Sequence, residues 1–592
     1  MMERSSRSAL LRPLVPSAYR PRLAAVGLLV VVAWLFHPVL RPVHVEGFSA
    51  SIESLATHLA RGALAHYDTL HPANLEFFAL SRLGTVSFVA SLQWLGLTSE
   101  WAMRVTMWIG FVALIWSSIV LVRRWTGAPL MLVVVSLLLI PGVSESAFFY
   151  NDNVLSAALA LGALAVVGTS VGLAPTALAG LLFGAGVVAR LDAVLLAPAV
   201  GLIGYQQHGL GSTFVRRGLA FTAAAVLPVI LVPGAAHATI LDVVRISNYA
   251  VDLWNRPPSL APHAREFAYF IGTPAAMLGA FGLLRLVKAR EGFRVALLAG
   301  VPLLFNLVAL GKIWQSRQLL PMTPFLAALA VCGWQYLASE TQDPARRRIR
   351  LAVVAVSAVV LFGPFARMQV SDGPRVPYGR FWSPLLWTRW QAAISANFSE
   401  LQRLVSSVDQ STTAAILTDT WDADRYLHLA LQREGFRIDD IGRTHPPCER
   451  VGELFVRGRA RVVHLRLHQP FLPSWRSLAE QRLHKLALGC LSRWNASQLY
   501  LIAPGGRAAT LLASSPLLHD RIDVPALAAS YKVTGYDRLL ALPLSSADLA
   551  PLSASYTADA KEYGGMALHD EDDLVRAERL MRNQVWHTRS QQ

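Results

Sequence analysis

Apolar residues in this chain gather into runs of about 15–22, and that clustering limits the fold more than any other feature. About 20 apolar residues in helical geometry cross the ~30 Å hydrocarbon core of a bilayer. In lipid the backbone must satisfy its own hydrogen bonds, so such runs become helices. They lie near 23–40, 101–122, 129–147, 153–172, 174–189, 190–206, 218–237, 267–287, 294–310, 318–338 and 350–367, giving about eleven spans. Hydrophobic residues make up 54% of the 592 positions and charged residues only 16%, against roughly 25% charged in an ordinary soluble protein. The sequence therefore predicts a polytopic α-helical membrane protein.

The net charge of +16 raises the question of a nucleic-acid partner, and its distribution answers against one. Arginines concentrate in short loops: Arg123 with Arg124, Arg216 with Arg217, Lys288 with Arg290 and Arg294, and the cluster from Arg346 to Arg350. Alternation of eleven spans places all four loops in the cytoplasm, as the positive-inside rule requires. No basic patch interleaved with aromatics is present, which single-strand binding would need. The basic segment 1–22 lacks a following cleavage site, so the first run reads as an uncleaved helix with a cytoplasmic N-terminus. A span at 75–97 would invert every later loop; that segment, with Arg82, is expected as an amphipathic helix on the outer face.

From about residue 370 the composition becomes mixed. Strand-like runs at Ala414–Thr418, Arg461–Leu465, Leu499–Ile502 and Leu539–Leu542 alternate with helical patterns such as Ala423–Gly435. This predicts an extracytoplasmic α/β domain over 370–592, behind a membrane domain over 23–369 whose first outer loop covers about 41–100. Of three cysteines, Cys448 and Cys490 fall in this domain, either as a disulfide in an oxidising compartment or as two unrelated thiols. No Cys/His cluster has zinc-site spacing. Asp419 to Asp424 follows a strand and precedes a helix; without a Gly-rich loop it reads as helix capping.

Ionisable groups at membrane depth are costly and mark functional sites. The outer-face segments hold Glu46, Glu53, Asp68 and His71 in the first loop, then Tyr150-Asn151-Asp152, Arg190-Leu191-Asp192, and Lys312 with Arg317. A carboxylate just above the membrane could take a proton from an acceptor hydroxyl. Arg and Lys at the same depth could hold the phosphates of a lipid-linked donor and stabilise a leaving phosphate. A second carboxylate could hold a divalent metal ion or orient the acceptor. Each residue also has a structural alternative: Asp152 suits a helix N-cap, Arg190 and Asp192 an ion pair, His71-Pro72 a turn, and Trp254 and Trp314 interfacial anchors.

The order of these motifs resembles the GT-C glycosyltransferase superfamily, in particular its protein O-mannosyltransferase and lipid A aminoarabinose transferase branch. The resemblance covers about residues 20–370. It rests on Glu46, Phe48, Leu59-Ala60-Arg61-Gly62 and His71-Pro72-Ala73 in the first loop, and then on Ser99 to Arg104. It continues through Tyr150-Asn151-Asp152 opening a helix, Ala189-Arg190-Leu191-Asp192, and Arg317 before Leu319-Leu320-Pro321. It implies a bacterial inner-membrane enzyme that moves a sugar from a polyprenyl-phosphate donor to a lipid, glycan or protein acceptor on the periplasmic side. Glu46 and Asp152 would then be catalytic, and His71, Tyr150, Asn151, Arg190, Asp192, Lys312 and Arg317 would bind substrate. The family commonly has two adjacent acids where this chain has Val45-Glu46. Glu46 serves as base in their place, or Glu53 or Asp68 does, or the chain is a non-catalytic assembly factor or transporter.

Overall fold

The computed structural model describes residues 47–61, 82–146, 152–169, 172–232, 260–308 and 316–339. Beyond these it describes 348–349, 352, 367–369, 375–377, 401–409, 413–418, 421–438, 452–466, 491, 496–503 and 538–543. The chain forms two compact units. One comprises Met1–His44, Ser81–Thr239 and Arg256–Thr388; the other comprises Val45–Leu80, Ile240–Asn255 and Arg389–Gln592. Thus the stretch 45–80 of the expected first outer loop groups with the C-terminal region, and 81–100 groups with the membrane helices.

The first helix, α1 (Gly47–Ala60), belongs to the second unit. The first unit contributes α2 (Leu83–Trp94), α3 (Ser99–Thr126), α4 (Leu130–Leu138), α5 (Pro141–Glu145), α6 (Asp152–Thr169), α7 (Leu173–Ala189) and α8 (Ala197–His208). It continues with α9 (Ser212–Leu231), α10 (Leu260–Ile271), α11 (Thr273–Lys288), α12 (Gly292–Val308) and α13 (Thr323–Ser339). Among the described residues, three helical stretches are both long and apolar enough to cross a membrane: Ser99–Thr126, Ser212–Leu231 and Arg317–Ala338. The chain is a membrane protein. The expected spans 23–40 and 350–367 lie largely or wholly outside the described residues.

Several apolar runs fold as broken helices. The 129–147 run is two short helices, with Pro141 starting the second because proline suits a first helical turn. The 267–287 run begins inside α10 and breaks at Gly272, whose φ of 69° a side chain would resist. The 190–206 run is a 3-10 turn, Leu191–Leu196, leading into α8. Within the segment 75–97, expected as an amphipathic helix, the structure describes α2, which carries apolar residues around its circumference and is not amphipathic. It is only 12 residues long and buries Leu83, Thr85, Val86, Val89 and Ala90.

Glycine sets the helix spacing in this unit. A Cβ on Gly180 would lie 2.3 Å from the Phe221 carbonyl oxygen, and one on Gly184 would lie 2.0 Å from that of Ala225. This G-x-x-x-G spacing puts both glycines on one face of α7 and lets α9 approach backbone to backbone. The α11–α13 pair is reciprocal. A Cβ on Gly282 would meet Leu329 O at 2.0 Å, and one on Gly333 would meet Leu278 O at 1.9 Å.

The second unit contains a six-stranded sheet. Its strands are β3 (Thr413–Thr418), β4 (Arg437–Ile438), β5 (Gly452–Arg457), β6 (Ala460–Arg466), β7 (Gln498–Ala503) and β8 (Arg538–Pro543), in the order β4-β5-β6-β3-β7-β8. A separate two-stranded ribbon, β1 (Arg367–Gln369) with β2 (Arg375–Pro377), lies in the first unit. The three central strands β6, β3 and β7 are parallel, and the outer strands pair antiparallel. The four expected strand runs fall within β3, β6, β7 and β8. The β5–β6 hairpin closes through a two-residue turn at Gly458 (φ 61°) and Arg459. Helix α14 (Trp421–Arg433) covers the sheet, packing Leu427, Ala430 and Leu431 with Ile416, Phe436, Phe455 and Val462.

Candidate functional site

In the membrane unit, Arg190 and Asp192 lie where α7 ends, and Arg317 lies on a separate turn packed against α6. The last carbonyls of a helix lack intrahelical donors, and here side chains from two neighbouring helices add hydrogen bonds to carbonyls at and just beyond that end. Ser156 Oγ, in the second turn of α6, donates to Gly186 O at 2.9 Å and Arg190 O at 3.4 Å. Thr85 Oγ1 of α2 donates to Ala189 O at 3.5 Å. Arg190 itself is extended (φ −165°, ψ 128°) between α7 and the following 3-10 turn. Its Nε bonds Asp192 Oδ2 at 2.6 Å, with side chains 16% and 24% exposed. A cation at a helix C-terminus also complements the helix dipole.

Arg317 arrives from the other side of the sequence. It sits on the 3-10 turn Ser316–Met322 and is 4% exposed, with Gln318 buried beside it. That turn packs against α6 and α10, while α6 also packs against the 191–196 turn. Helix α6 therefore joins the elements that carry Arg190, Asp192 and Arg317, and Asp152 is its first residue. Asn153 follows it, buried.

An apolar cavity of about 390 Å³ lies between α2, α3, α6, α7 and the end of α9. Small residues open it: Gly84, Gly110, Ala113, Ala158, Gly162 and Ala185. Its wall includes Val188 and Ala189, directly before Arg190. A volume in this range suits a ligand, and an almost all-carbon lining suits an alkyl chain.

One polar pair escaped the sequence reading. His263 on α10 is 6% exposed, and its Nε2 meets Asn306 Oδ1 of α12 at 2.9 Å. Asn306 Nδ2 donates to Pro302 O at 2.8 Å, so its oxygen accepts from the imidazole. A lone histidine in a helix with no recognisable motif carries no sequence signal of such a bond.

In the second unit, Glu53 is fully buried with both carboxylate oxygens on Arg433: Oε1 to Nε at 2.9 Å and Oε2 to Nη2 at 2.9 Å. This pairing gives Glu53, one of the candidate bases, a structural partner within its own unit. Its neighbour one turn on, His58, bonds Gln432 at 2.7 Å. Glu46, Asp68, His71, Tyr150, Asn151 and Lys312 lie outside the described residues, as do Trp254, Trp314, Cys448 and Cys490. Among the described residues, no group of three or more His, Cys, Asp or Glu is placed to hold a metal ion.

No protein-family model matches the sequence, and no curated protein matches it. Solved structures do. The fold is similar to ArnT from Cupriavidus metallidurans in the apo state, with TM-score 0.39 and 16% identity over 71% of this chain and 77% of that one. The same protein bound to undecaprenyl phosphate gives 0.41 and 14%, over 76% and 98%. The Archaeoglobus fulgidus oligosaccharyltransferase in the apo form gives 0.42 and 12%, over 83% and 71%. Both neighbours are members of the GT-C fold.

Proposed function

We propose that this protein is a membrane glycosyltransferase that moves a sugar from a polyprenyl-phosphate donor to a lipid, glycan or protein acceptor on the periplasmic face of the bacterial inner membrane. The carrying observation is the apolar cavity whose wall includes Ala189, the residue before Arg190, together with buried Arg317 on a turn packed against α6, which also lines the cavity. A prenyl chain suits the carbon-lined cavity, and the arginines supply positive charge for a phosphate.

In the reaction, the acceptor oxygen attacks the anomeric carbon as the bond from that carbon to the phosphate oxygen breaks. The electron pair leaves with the polyprenyl phosphate, and the acceptor's proton passes to Glu46. Arg190, Arg317 and Lys312 neutralise the charge growing on the leaving phosphate, the kind of contact worth about 10²–10³ in rate. Asp192 holds Arg190 in place. Asp152 supports the site from the start of α6, and His71, Tyr150 and Asn151 orient the sugar and acceptor. The motif order in the sequence supports these roles for Glu46, Asp152, His71, Tyr150, Asn151 and Lys312.

Binding of polyprenyl phosphate to the purified protein tests the reading. Arg317→Gln and Arg190→Gln should each weaken it by tenfold or more, about 1.4 kcal/mol, and the matching alcohol without phosphate should bind far more weakly. Equal affinity for the alcohol and the phosphate would remove the arginines from the headgroup and sink the assignment.

A further inference from the structure

The His263–Asn306 pair joins two helices that pack on different charged turns of the membrane unit. Helix α10, which carries His263, packs against the Arg317 turn. The 301–308 part of α12, which carries Asn306, packs against the turn Leu191–Leu196. That second turn holds Asp192, the partner of Arg190. Phe270 comes seven residues after His263, so the two share one face of α10. This face meets α5, because a Cβ on Gly142 would lie 2.1 Å from the Phe270 ring. Helix α5 packs against the Arg317 turn as well.

The bond to Asn306 leaves half of the imidazole uncommitted. Asn306 Nδ2 donates to Pro302 O, so Oδ1 faces the ring and Nε2 carries the proton. Nδ1 of the neutral ring then holds a lone pair. It has no hydrogen-bond partner among the described residues, although His263 is only 6% exposed. Thr323, directly after the Arg317 turn, is wholly buried, and its Oγ1 lacks a partner among the described residues too. Buried polar atoms are nearly always satisfied, and an exception calls for a functional role or a bound water. The lone pair also selects its ligand. Phosphate ester oxygens only accept, so a phosphate suits the arginines and not Nδ1. A hydroxyl donates, and hydroxyls are what a sugar and its acceptor carry.

We propose that His263 is a further substrate-binding residue, whose Nδ1 accepts a hydrogen bond from a hydroxyl of the bound sugar or of the acceptor. Asn306 is its positioning residue, holding the proton on Nε2 and the lone pair on Nδ1. The inference rests on the glycosyltransferase reading and adds to it a group that recognises a hydroxyl.

The test titrates the full-length protein with polyprenyl phosphate and with its glucosyl, mannosyl and arabinosyl esters. It then measures transfer to membrane lipids and cell-wall extracts at saturating donor. His263→Gln keeps an amide N–H for Asn306 and loses the Nδ1 acceptor, and Asn306→Leu keeps the ring and frees its tautomer. His263→Gln should bind bare polyprenyl phosphate as the unaltered protein does. If the partner is a sugar hydroxyl, its affinity for the preferred sugar ester falls about tenfold. If the partner is an acceptor hydroxyl, donor affinity holds and the acceptor KM rises about tenfold. Asn306→Leu should shift the same constant by less. Should His263→Gln fail to fold, His263→Leu/Asn306→Leu, which removes both polar groups together, takes its place. Unaltered values for both the sugar ester and the acceptor would overturn the inference and leave Nδ1 to a bound water. An equal loss of affinity for bare polyprenyl phosphate would make His263 structural and overturn it too. So would an unaltered protein that binds the bare phosphate as tightly as every sugar ester and transfers nothing. No binding of any of these lipids by the unaltered protein would bring down the glycosyltransferase reading, and the inference with it.

Discussion

Helix α11 carries two glycines one turn apart, and they should respond to alanine in opposite directions. At Gly282 a Cβ would lie 2.0 Å from Leu329 O and 3.0 Å from Gly333 N. An ordinary carbon–oxygen contact is about 3.3 Å, so α11 and α13 must part by about 1.3 Å. A radial gap of 0.5–1 Å already forfeits roughly a quarter to a half of each dispersion contact. Overpacking of this kind costs about 1–3 kcal/mol. The better helix propensity of alanine returns about 1 kcal/mol, leaving Gly282→Ala destabilised by up to about 2 kcal/mol. At Gly279 the nearest atom to a Cβ is Leu329 Cβ at 3.8 Å, an ordinary contact. Gly279→Ala therefore keeps the propensity gain and should be neutral or stabilised. Because α13 continues from the turn that carries Arg317, only Gly282→Ala should also weaken polyprenyl-phosphate binding. Thermal unfolding of both variants in detergent, with the binding assay alongside, checks this. Shifts of the same sign and size at the two positions would refute the close-crossing argument.

Further expectations follow from the same geometry. Gly162 lines the apolar cavity, and a Cβ there meets nothing nearer than Ser117 Oγ at 3.7 Å. Gly162→Leu should fold normally, occupy the cavity and reduce affinity for the prenyl chain by at least tenfold, read by titration with polyprenyl phosphate. His263→Leu leaves the half-buried Asn306 oxygen without its donor and should cost about 1 kcal/mol. The double variant His263→Leu/Asn306→Leu should recover most of that loss in a thermal-unfolding cycle.

What the sequence made legible follows physical signal strength. Long apolar runs closed by arginines, such as 101–122 before Arg123 and Arg124, read directly as helix, and α3 ends on Gly127 in the left-handed conformation. The central strands were visible because strands covered on both faces carry continuous apolar runs such as the buried Val462-Val463. Strand β5 was not, since Glu453 and Arg457 dilute its apolar content. Breaks inside apolar runs were hidden as well: hydropathy integrates over about 20 residues and does not register a single Gly272 or an extended Arg190. Helix α1 is the instructive case. Its serines and Glu53 read as a solvated loop, and the residue that buries them, Arg433, is 380 positions away. Only tertiary packing pairs the two. Arg190, Asp192 and Arg317 were legible as candidates because charge beside apolar runs is costly. The apolar cavity depends on small residues from several helices, which no local pattern announces.

The central claim is tested most directly by transfer of radiolabelled sugar from polyprenyl-phosphate donors by the purified protein, with membrane lipids and cell-wall extracts as acceptors. The account predicts a labelled product from the unaltered chain that disappears with Glu46→Gln while polyprenyl-phosphate binding is retained. Undiminished product from Glu46→Gln, or no product and no donor binding by the unaltered chain, would contradict it.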